Sequence, residues 1–261
     1  MTVFQEPALR FGSGVVFRRM EHGFIRYETQ MHAIHKPRVK ICCISSPEEA
    51  ALAIDAGAAA LGLVSKMPSG PGVITEEVIA RIAARVPPGV ATFLLTSEID
   101  ASAIISQQKR TGVNTLQLVD SVHPLALQQI HAALPGIALV QVIHVRGAAS
   151  IEEALALAPY VDALLLDSGN PSLPVKELGG TGRTHDWSIS RQIREAAPVP
   201  VFLAGGLTTL NVAEAICQVE PFGIDLCSGV RTKGKLDAEK LAAFFHAVSS
   251  AFREEAGAAF P

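Results

Sequence analysis

From Val39 onward one pattern repeats along the chain: a short apolar run, a turn, and a segment with helical periodicity. The apolar runs are rich in Val, Ile and Leu, which is typical of parallel strands that are covered on both faces. Eight such strand–helix units in about 220 residues predict a single (β/α)8 barrel, the TIM-barrel fold. The predicted strands are Val39–Ile44, Ala60–Val64, Val90–Leu95, Asn114–Leu118, Ala138–Val145, Asp162–Leu166, Val199–Leu203 and Gly223–Cys227.

The main competing fold is an open, doubly wound sheet. That fold is expected to carry a G-x-G-x-x-G turn after its first strand, where it binds a dinucleotide. Here the first run is followed by Ser45-Ser46-Pro47-Glu48-Glu49. A serine cap, a proline in the first turn and acids near the helix start indicate an ordinary helix N-terminus. The barrel is therefore favoured.

The predicted domain organisation is an N-terminal extension over residues 1–38, a barrel over residues 39–255 and a short tail over residues 256–261. The extension carries six Lys or Arg and three Glu, and it lacks the apolar core of a signal peptide. We interpret it as a disordered, dispensable or wrongly assigned start, with a docked arm or an oligomer contact as the alternative. Its His32-x-x-His35 pair has metal-ligand spacing, but its irregular context argues against ligation. We expect no bound metal.

Composition excludes several functional classes. Charged residues make up 18% of the chain and hydrophobic residues 49%, which excludes wholesale disorder. A net charge of −3 and 5% aromatic residues argue against a nucleic-acid partner. No apolar run is long enough for a membrane helix. Four cysteines without a CxxC pair predict a reducing, cytoplasmic location.

Glycine-rich loops follow the last three predicted strands, which lie next to one another in a barrel. Backbone N–H groups can approach an anion closely where glycines stand, and the loops after strands seven and eight commonly bind phosphate in this fold. The sequence therefore predicts a phosphate site on this rim. The predicted phosphate-binding residues are Gly180, Thr181 and Gly182 after strand six, Gly205 and Gly206 after strand seven, and Ser228 and Gly229 after strand eight.

Two kinds of reactive side chain stand at strand ends. Asp167 follows strand six, where a carboxylate can act as a general acid or base or can cap the next loop. Cys42 and Cys43 close strand one, and strand alternation predicts that one of the two points into the barrel mouth. A buried cysteine is commonly no more than a small apolar residue. Position alone leaves these alternatives open.

These motifs together resemble the phosphoribosylanthranilate isomerase family of tryptophan biosynthesis. The resemblance runs from about Arg38 to Phe245. It rests on Lys40-Ile41-Cys42, Leu164-Leu165-Leu166-Asp167, Gly179-Gly180-Thr181-Gly182, Asp186-Trp187, Leu203-Ala204-Gly205-Gly206-Leu207, Asn211-Val212 and Ser228-Gly229-Val230.

The resemblance implies an Amadori rearrangement of an N-(5′-phosphoribosyl) arylamine, a small-molecule substrate, to a 1-amino-1-deoxyribulose 5-phosphate. It makes Asp167 the general acid for the ring oxygen and Cys42 the general base for the C2′ proton, in a monomer or homodimer without metal or organic cofactor. Further expected substrate contacts are Lys40, Gln117, Arg183 and Asp186.

The chain also departs from the family pattern. Cys43 stands where the family has glycine, and Pro71 stands where it has the arginine that holds the anthranilate carboxylate. Val119-Asp120 and Arg231 replace other family residues. Losing one partner of a buried ion pair costs about 3–5 kcal/mol, or two to three decades of binding. Cations that could substitute are Lys66, Arg146, Arg183 and Arg231.

Two alternatives to anthranilate isomerisation follow from these departures. One is the same chemistry on a different phosphoribosyl amine. The other is a catalytically silent paralogue that binds a phosphate ligand. The retention of both Asp167 and Cys42 argues against the silent paralogue.

Overall fold

The computed structural model describes residues 9–11, 15–19, 25–29 and 36–258, with side chains described for residues 36–251. The chain divides into two compact units, Met1–His35 and Lys36–Pro261. In the first unit, strands Leu9–Phe11, Val15–Arg19 and Ile25–Thr29 form an antiparallel sheet. His32 and His35 lie outside the described residues. The roles predicted for residues 1–38 stay predictions.

The second unit is a closed barrel of eight parallel strands, which confirms the predicted (β/α)8 fold. Strand β1 pairs with β2 and with β8, so that the last strand closes the sheet on the first. Most predicted boundaries agree within two residues, but β1 ends at Ile41 rather than at Ile44. The strands are β1 (Arg38–Ile41), β2 (Ala60–Val64), β3 (Ala91–Thr96), β4 (Thr115–Leu118), β5 (Ala138–His144), β6 (Ala163–Asp167), β7 (Val201–Leu203) and β8 (Gly223–Leu226).

Helices connect the strands and cover the outside of the barrel. Ser46 caps the first helix by accepting a hydrogen bond from the N–H of Glu49, as its sequence predicts. The last helix, α8, continues to Ala258 and so enters the predicted tail. The helices are α1 (Pro47–Asp55), α2 (Glu76–Ala83), α3 (Ala101–Thr111), α4 (Pro124–Ala133), α5 (Ala149–Leu157), α6 (Trp187–Ala196), α7 (Val212–Val219) and α8 (Ala238–Ala258), with short 3-10 turns at Ala158–Tyr160 and Ser228–Val230. Of the helices that the structure describes, none is long and apolar enough to cross a membrane.

Alternation along the strands separates two apolar cores. Leu61 and Leu63 of β2 pack in the large core between strands and helices, whereas Ala60 and Val64 pack in a smaller core inside the barrel. Phe93 and Phe202 meet edge to face inside the barrel with ring centroids 5.9 Å apart. This ring contact fills part of the barrel interior.

A buried ion pair joins the two strands that close the barrel. Lys40 on β1 is directly opposite Asp225 on β8, and Lys40 Nζ donates to Asp225 Oδ2 at 2.7 Å. Both side chains are buried, and Lys40 is wholly inaccessible. The ammonium also lies 5.3 Å from the centroid of the Phe93 ring. Burial lowers the pKa of Lys40, but the Asp225 carboxylate outweighs that effect, so the pKa is raised overall and Lys40 stays charged.

We expect Lys40→Met to lower the free energy of unfolding by about 3–5 kcal/mol, because it leaves the Asp225 carboxylate buried without a counter-ion. Equilibrium urea unfolding measures this change. Arg191→Met is the control, since it removes a cation from the exposed Arg191–Glu195 pair and should cost less than about 1 kcal/mol. The double variant Lys40→Met/Asp225→Leu should recover most of the loss. Equal losses of unfolding free energy in Lys40→Met and Arg191→Met would contradict a structural role for the Lys40–Asp225 pair.

Candidate active site

The C-terminal ends of the strands surround a cleft with about 710 Å³ of empty space, including space open to solvent. The strands deliver side chains to its floor, and the loops after β2, β6, β7 and β8 form its walls. Nine of the residues predicted for the site line this cleft: Cys42, Gln117, Asp167, Gly180, Thr181, Gly182, Gly205, Gly206 and Ser228.

Asp167 ends β6 and is 9% exposed. Its Oδ1 accepts a hydrogen bond from the N–H of Ser168 at 2.7 Å. Burial raises the pKa of the Asp167 carboxyl and outweighs the opposing effects of that bond, His144 and Lys40. A carboxyl with a raised pKa holds its proton at higher pH than an ordinary aspartate. Asp167 therefore has the chemistry of a proton donor.

Cys42 follows β1 and lies beside the buried Lys40. A Cβ atom built on Gly62 would come within 2.8 Å of Cys42 Sγ and 3.0 Å of Lys40 Nζ. Both atoms thus lie against the same backbone position on β2, and only a residue without a side chain leaves room for them.

The prediction that only one of Cys42 and Cys43 faces the barrel mouth is wrong: both line the cleft. Strand β1 ends at Ile41, and Cys43 has a φ of +61°, so strand alternation no longer applies. Side chains other than glycine rarely adopt this left-handed conformation. Cys43 thus takes up a backbone conformation that suits glycine, the residue of the family pattern at this position. Its Sγ lies 3.7 Å from the carbonyl oxygen of Pro71.

The glycine-rich loops pack directly on one another. Ser168 Oγ and Thr181 Oγ1 are 2.7 Å apart and share a hydrogen bond within the loop after β6. Gly206 has a φ of +61°, and a Cβ there would lie 2.7 Å from the carbonyl carbon of Arg183. A Cβ on Gly229 would lie 2.5 Å from the carbonyl oxygen of Leu207. The three loops therefore form one continuous wall in which glycines allow backbone segments to lie against one another.

The loop after β2 closes the opposite wall. The Pro71 ring fills the space that a Cβ on Gly180 would need. Ser69 Oγ donates to the carbonyl oxygen of Lys176 at 2.5 Å. The residue that replaces the family's arginine is therefore a packing contact with the glycine-rich loop after β6.

Four predicted site residues lie outside the cleft lining. Lys40 is buried beneath the cleft in its ion pair with Asp225. Gly229 packs on Leu207, and Asp186 caps α6 by accepting from the N–H of Ser188 at 2.9 Å. Arg183 is exposed and forms an ion pair with Glu177.

The predicted substitute cations are also absent from the cleft lining. Arg231 Nη1 donates to Glu49 Oε1 at 2.9 Å, and its Nη2 donates to the carbonyl oxygen of Cys43 at 2.6 Å. Arg146 donates to Ser172 Oγ at 2.6 Å, and Lys66 is exposed. Among the described residues that line the cleft, none is Lys or Arg.

Sequence reasoning missed Asp225. It lines the cleft, and its Oδ1 has no hydrogen-bond partner among the residues that the structure describes. Gln117 Oε1 is a second buried acceptor that has no hydrogen-bond partner among the described residues. The available signal was an acid inside the otherwise apolar strand Gly223–Leu226. Within the described part of the chain, no group of three or more His, Cys, Asp or Glu could hold a metal ion.

The fold and the cleft define a (β/α)8-barrel enzyme with a carboxyl group and a thiol facing a glycine-lined wall. Residues 39–247 match the family model of N-(5′-phosphoribosyl)anthranilate isomerase. The chain belongs to this isomerase family.

Known members of the family match over most of their length. The N-(5′-phosphoribosyl)anthranilate isomerase of Thermosynechococcus vestitus is 36% identical over 206 residues, which cover 78% of this chain and 86% of the relative. The crystal structure of the Thermotoga maritima isomerase superposes with a TM-score of 0.70 at 29% identity, covering 82% of this chain and 99% of that one. A further isomerase structure, in complex with reduced 1-(o-carboxyphenylamino)-1-deoxyribulose 5-phosphate, gives 0.68 at 27% identity, covering 82% and 99%.

The raised pKa of Asp167 predicts a dependence of stability on pH. Between the ordinary carboxyl pKa and the raised one, the folded chain keeps a proton that the unfolded chain releases, so stability falls as pH rises through this window. Asn cannot ionise, and its amide oxygen can still accept from the N–H of Ser168. We therefore expect Asp167→Asn to have the higher Tm at pH 8, with the difference shrinking towards pH 4.

Asp186→Asn is the matched control for this experiment. Hydrogen bonds from Ser188 lower the pKa of Asp186, so its contribution is present above the ordinary carboxyl pKa and is lost as pH falls. Its substitution should give no gain in Tm at pH 8. A Tm of Asp167→Asn below that of the parent protein at pH 8 would refute the expectation that the raised pKa of Asp167 lowers the stability of the folded chain at this pH.

Proposed function

We propose that this chain isomerises N-(5′-phosphoribosyl)anthranilate to the corresponding 1-amino-1-deoxyribulose 5-phosphate in tryptophan biosynthesis, with Asp167 as general acid and Cys42 as general base. The single observation that carries these roles is that both side chains face one cleft whose wall is built from the glycine-rich loops. The family membership and the relative that binds a reduced phosphorylated amino-ribulose support the substrate class.

The first step opens the ribose ring. Asp167 donates its proton to the ring oxygen as the bond between that oxygen and C1′ breaks, and the nitrogen lone pair forms the C1′=N bond of an iminium. The raised pKa of Asp167 supports this role, because a proton donor must be protonated when the substrate binds.

The second step moves a proton from C2′. The Cys42 thiolate accepts it, and the electron pair of the C2′–H bond forms a C1′=C2′ double bond while the iminium nitrogen becomes neutral. The resulting enol tautomerises to the C2′ ketone, so the net reaction is an isomerisation. The position of Cys42 supports this role, because its thiol lines the same cleft as Asp167.

The remaining cleft residues suit the rest of the substrate. Backbone N–H groups of Gly180, Gly182 and Gly206, which line the cleft, are the proposed donors to the 5′-phosphate. Asp225 Oδ1 and Gln117 Oε1 are the buried acceptors whose hydrogen bonds the ribose hydroxyls would supply. Buried acceptors of this kind are costly unless a ligand satisfies them.

Removing either proton-transfer group should reduce turnover by about 10²–10⁴-fold. The assay follows the loss of substrate fluorescence when N-(5′-phosphoribosyl)anthranilate is generated in situ, for Cys42→Ala and Asp167→Asn. Cys217→Ala, on helix α7, is the control and should retain parental kcat. If both active-site variants keep more than about a tenth of the parental kcat, the assigned roles are wrong.

One observation favours a second candidate, the same chemistry on a different amine. Anthranilate carries a carboxylate, and the described cleft lining offers it no Lys or Arg, while Pro71 packs against Gly180. Val64, Met67, Leu95 and Leu178 also line the cleft, and they suit an uncharged arylamine better than a carboxylate. A silent binder is less well supported, since acid and thiol are both in place.

A comparison of N-(5′-phosphoribosyl)anthranilate with N-(5′-phosphoribosyl)aniline tests this candidate. Without a cation for the carboxylate, kcat/KM should differ by less than about tenfold between the two substrates. Pro71→Arg should raise kcat/KM for the anthranilate substrate alone, with Pro71→Ala as the control for loop packing. A parental preference for anthranilate of about two to three decades would eliminate the second candidate.

A further inference from the structure

Three thiols meet at one side of the cleft. Cys42, Cys43 and Cys227 all line it, whereas the proposed reaction uses Cys42 alone. Cys42 and Cys43 are 7% and 6% exposed, and Cys227 is half-buried and more open to solvent. The other two thiols therefore need a separate explanation.

The barrel closure brings these cysteines together. Strand β1 pairs in register with β8, with Ile41 opposite Leu226, and the ladder continues through a 2.8 Å hydrogen bond from the N–H of Cys42 to the carbonyl oxygen of Leu226. Cys227 thus follows β8 beside the Cys42–Cys43 segment. Neighbouring strands are about 4.8 Å apart, which lies within the Cα separation that a disulfide spans.

Backbone conformation selects Cys43 as the partner of Cys227. The positive φ of Cys43 accompanies a side chain that lines the cleft together with Cys227, and the two thiols are close enough that Cys227 raises the pKa of Cys43. The carbonyl oxygens of Cys42 and Cys43 accept from Arg231 Nη2 at 3.3 and 2.6 Å, which ties this segment to the chain just after Cys227.

The electrostatics make Cys227 the more reactive member of this pair. The hydrogen bond from Cys43 and the nearby Arg231 guanidinium lower the pKa of Cys227, despite its partial burial. The hydrogen bonds with Cys227 and Cys42, together with burial, raise the pKa of Cys43. A thiolate that is partly exposed and adjacent to a second thiol is the arrangement found in oxidisable cysteine pairs.

We propose that Cys227 and Cys43 are a modification site that a hydroperoxide converts into an intramolecular disulfide. The Cys227 thiolate attacks the terminal oxygen of the hydroperoxide, breaking the O–O bond, and becomes a sulfenic acid. The alkoxide or hydroxide that leaves takes one proton from solvent, which replaces the proton that the thiol had released, and departs as alcohol or water. Cys43 sulfur then attacks the Cys227 sulfur, the S–OH bond breaks, and water carries away the hydroxyl group with the Cys43 proton. Two thiols lose two electrons, and the hydroperoxide gains them.

The disulfide would alter the cleft at Cys43. It removes the thiol proton that Cys43 donates to the carbonyl oxygen of Pro71, and it constrains the residue that directly follows Cys42. Small displacements of a catalytic group can cost up to about 10²-fold in rate. This effect on activity rests on the proposed function, whereas formation of the disulfide does not.

The primary experiment measures the bond itself. The full chain is treated with hydrogen peroxide, remaining thiols are alkylated, and the protein is digested without reductant for mass spectrometry. We expect a peptide pair linked through Cys43 and Cys227, lost on treatment with dithiothreitol. Cys43→Gly and Cys227→Ser should abolish it, whereas Cys217→Ser, outside the cleft, should leave it unchanged. A linkage that involves Cys42, or irreversible oxidation with no linkage, would overturn the proposal.

Activity is the second readout, expressed for each variant as the ratio of treated to untreated rate. The parent chain should lose about tenfold or more and recover with dithiothreitol, while Cys43→Gly should lose little. Equal, reversible losses in the parent chain and Cys43→Gly would show that Cys42 is the oxidised group and would refute the proposed pair. If the untreated chain has no isomerase activity, the proposed function fails, and the peptide map still decides the disulfide.

Discussion

The closure of the barrel on the Lys40–Asp225 ion pair is the interaction on which the rest of the site depends. The pair lies at the join between the first and last strands, wholly inside the sheet. One side of it faces the inner core through Phe93, and the other supports the cleft, where Cys42 lies beside the ammonium and Asp225 offers a free acceptor oxygen. A buried pair of this kind contributes little net stability compared with apolar residues. Its position places a buried charge next to the Cys42 thiol.

The acid and the thiol obtain different properties from the same burial. Removing water from Asp167 raises the pKa of its carboxyl, so it keeps a proton that it can donate. Cys42 has a different neighbour, the buried Lys40 ammonium. The two side chains thus face one cleft from different surroundings, and the proposed roles of acid and base rest on that difference.

Close backbone packing explains the wall of the cleft. Gly206 lies against Arg183, and Gly229 lies against Leu207, at distances that no side chain would permit. Each loop alone is an ordinary turn. Packed together they bring the backbone of three loops to one wall of the cleft. Pro71 packs on Gly180 in the same way, and none of the described residues that line the cleft is Lys or Arg.

The sequence by itself determined the order of strands and helices, because the apolar runs, caps and turn residues are local signals. It also determined which strand ends carry Asp167, Cys42 and the glycines. Only the tertiary structure decided that Cys43 joins Cys42 in the cleft, since a positive φ after Ile41 is invisible to strand alternation. It also placed Lys40 beneath the cleft rather than in it, and it directed Arg183 and Arg231 to Glu177 and Glu49. Those outcomes depend on which side chains meet across strands and loops that are far apart in sequence, and no local pattern encodes such meetings.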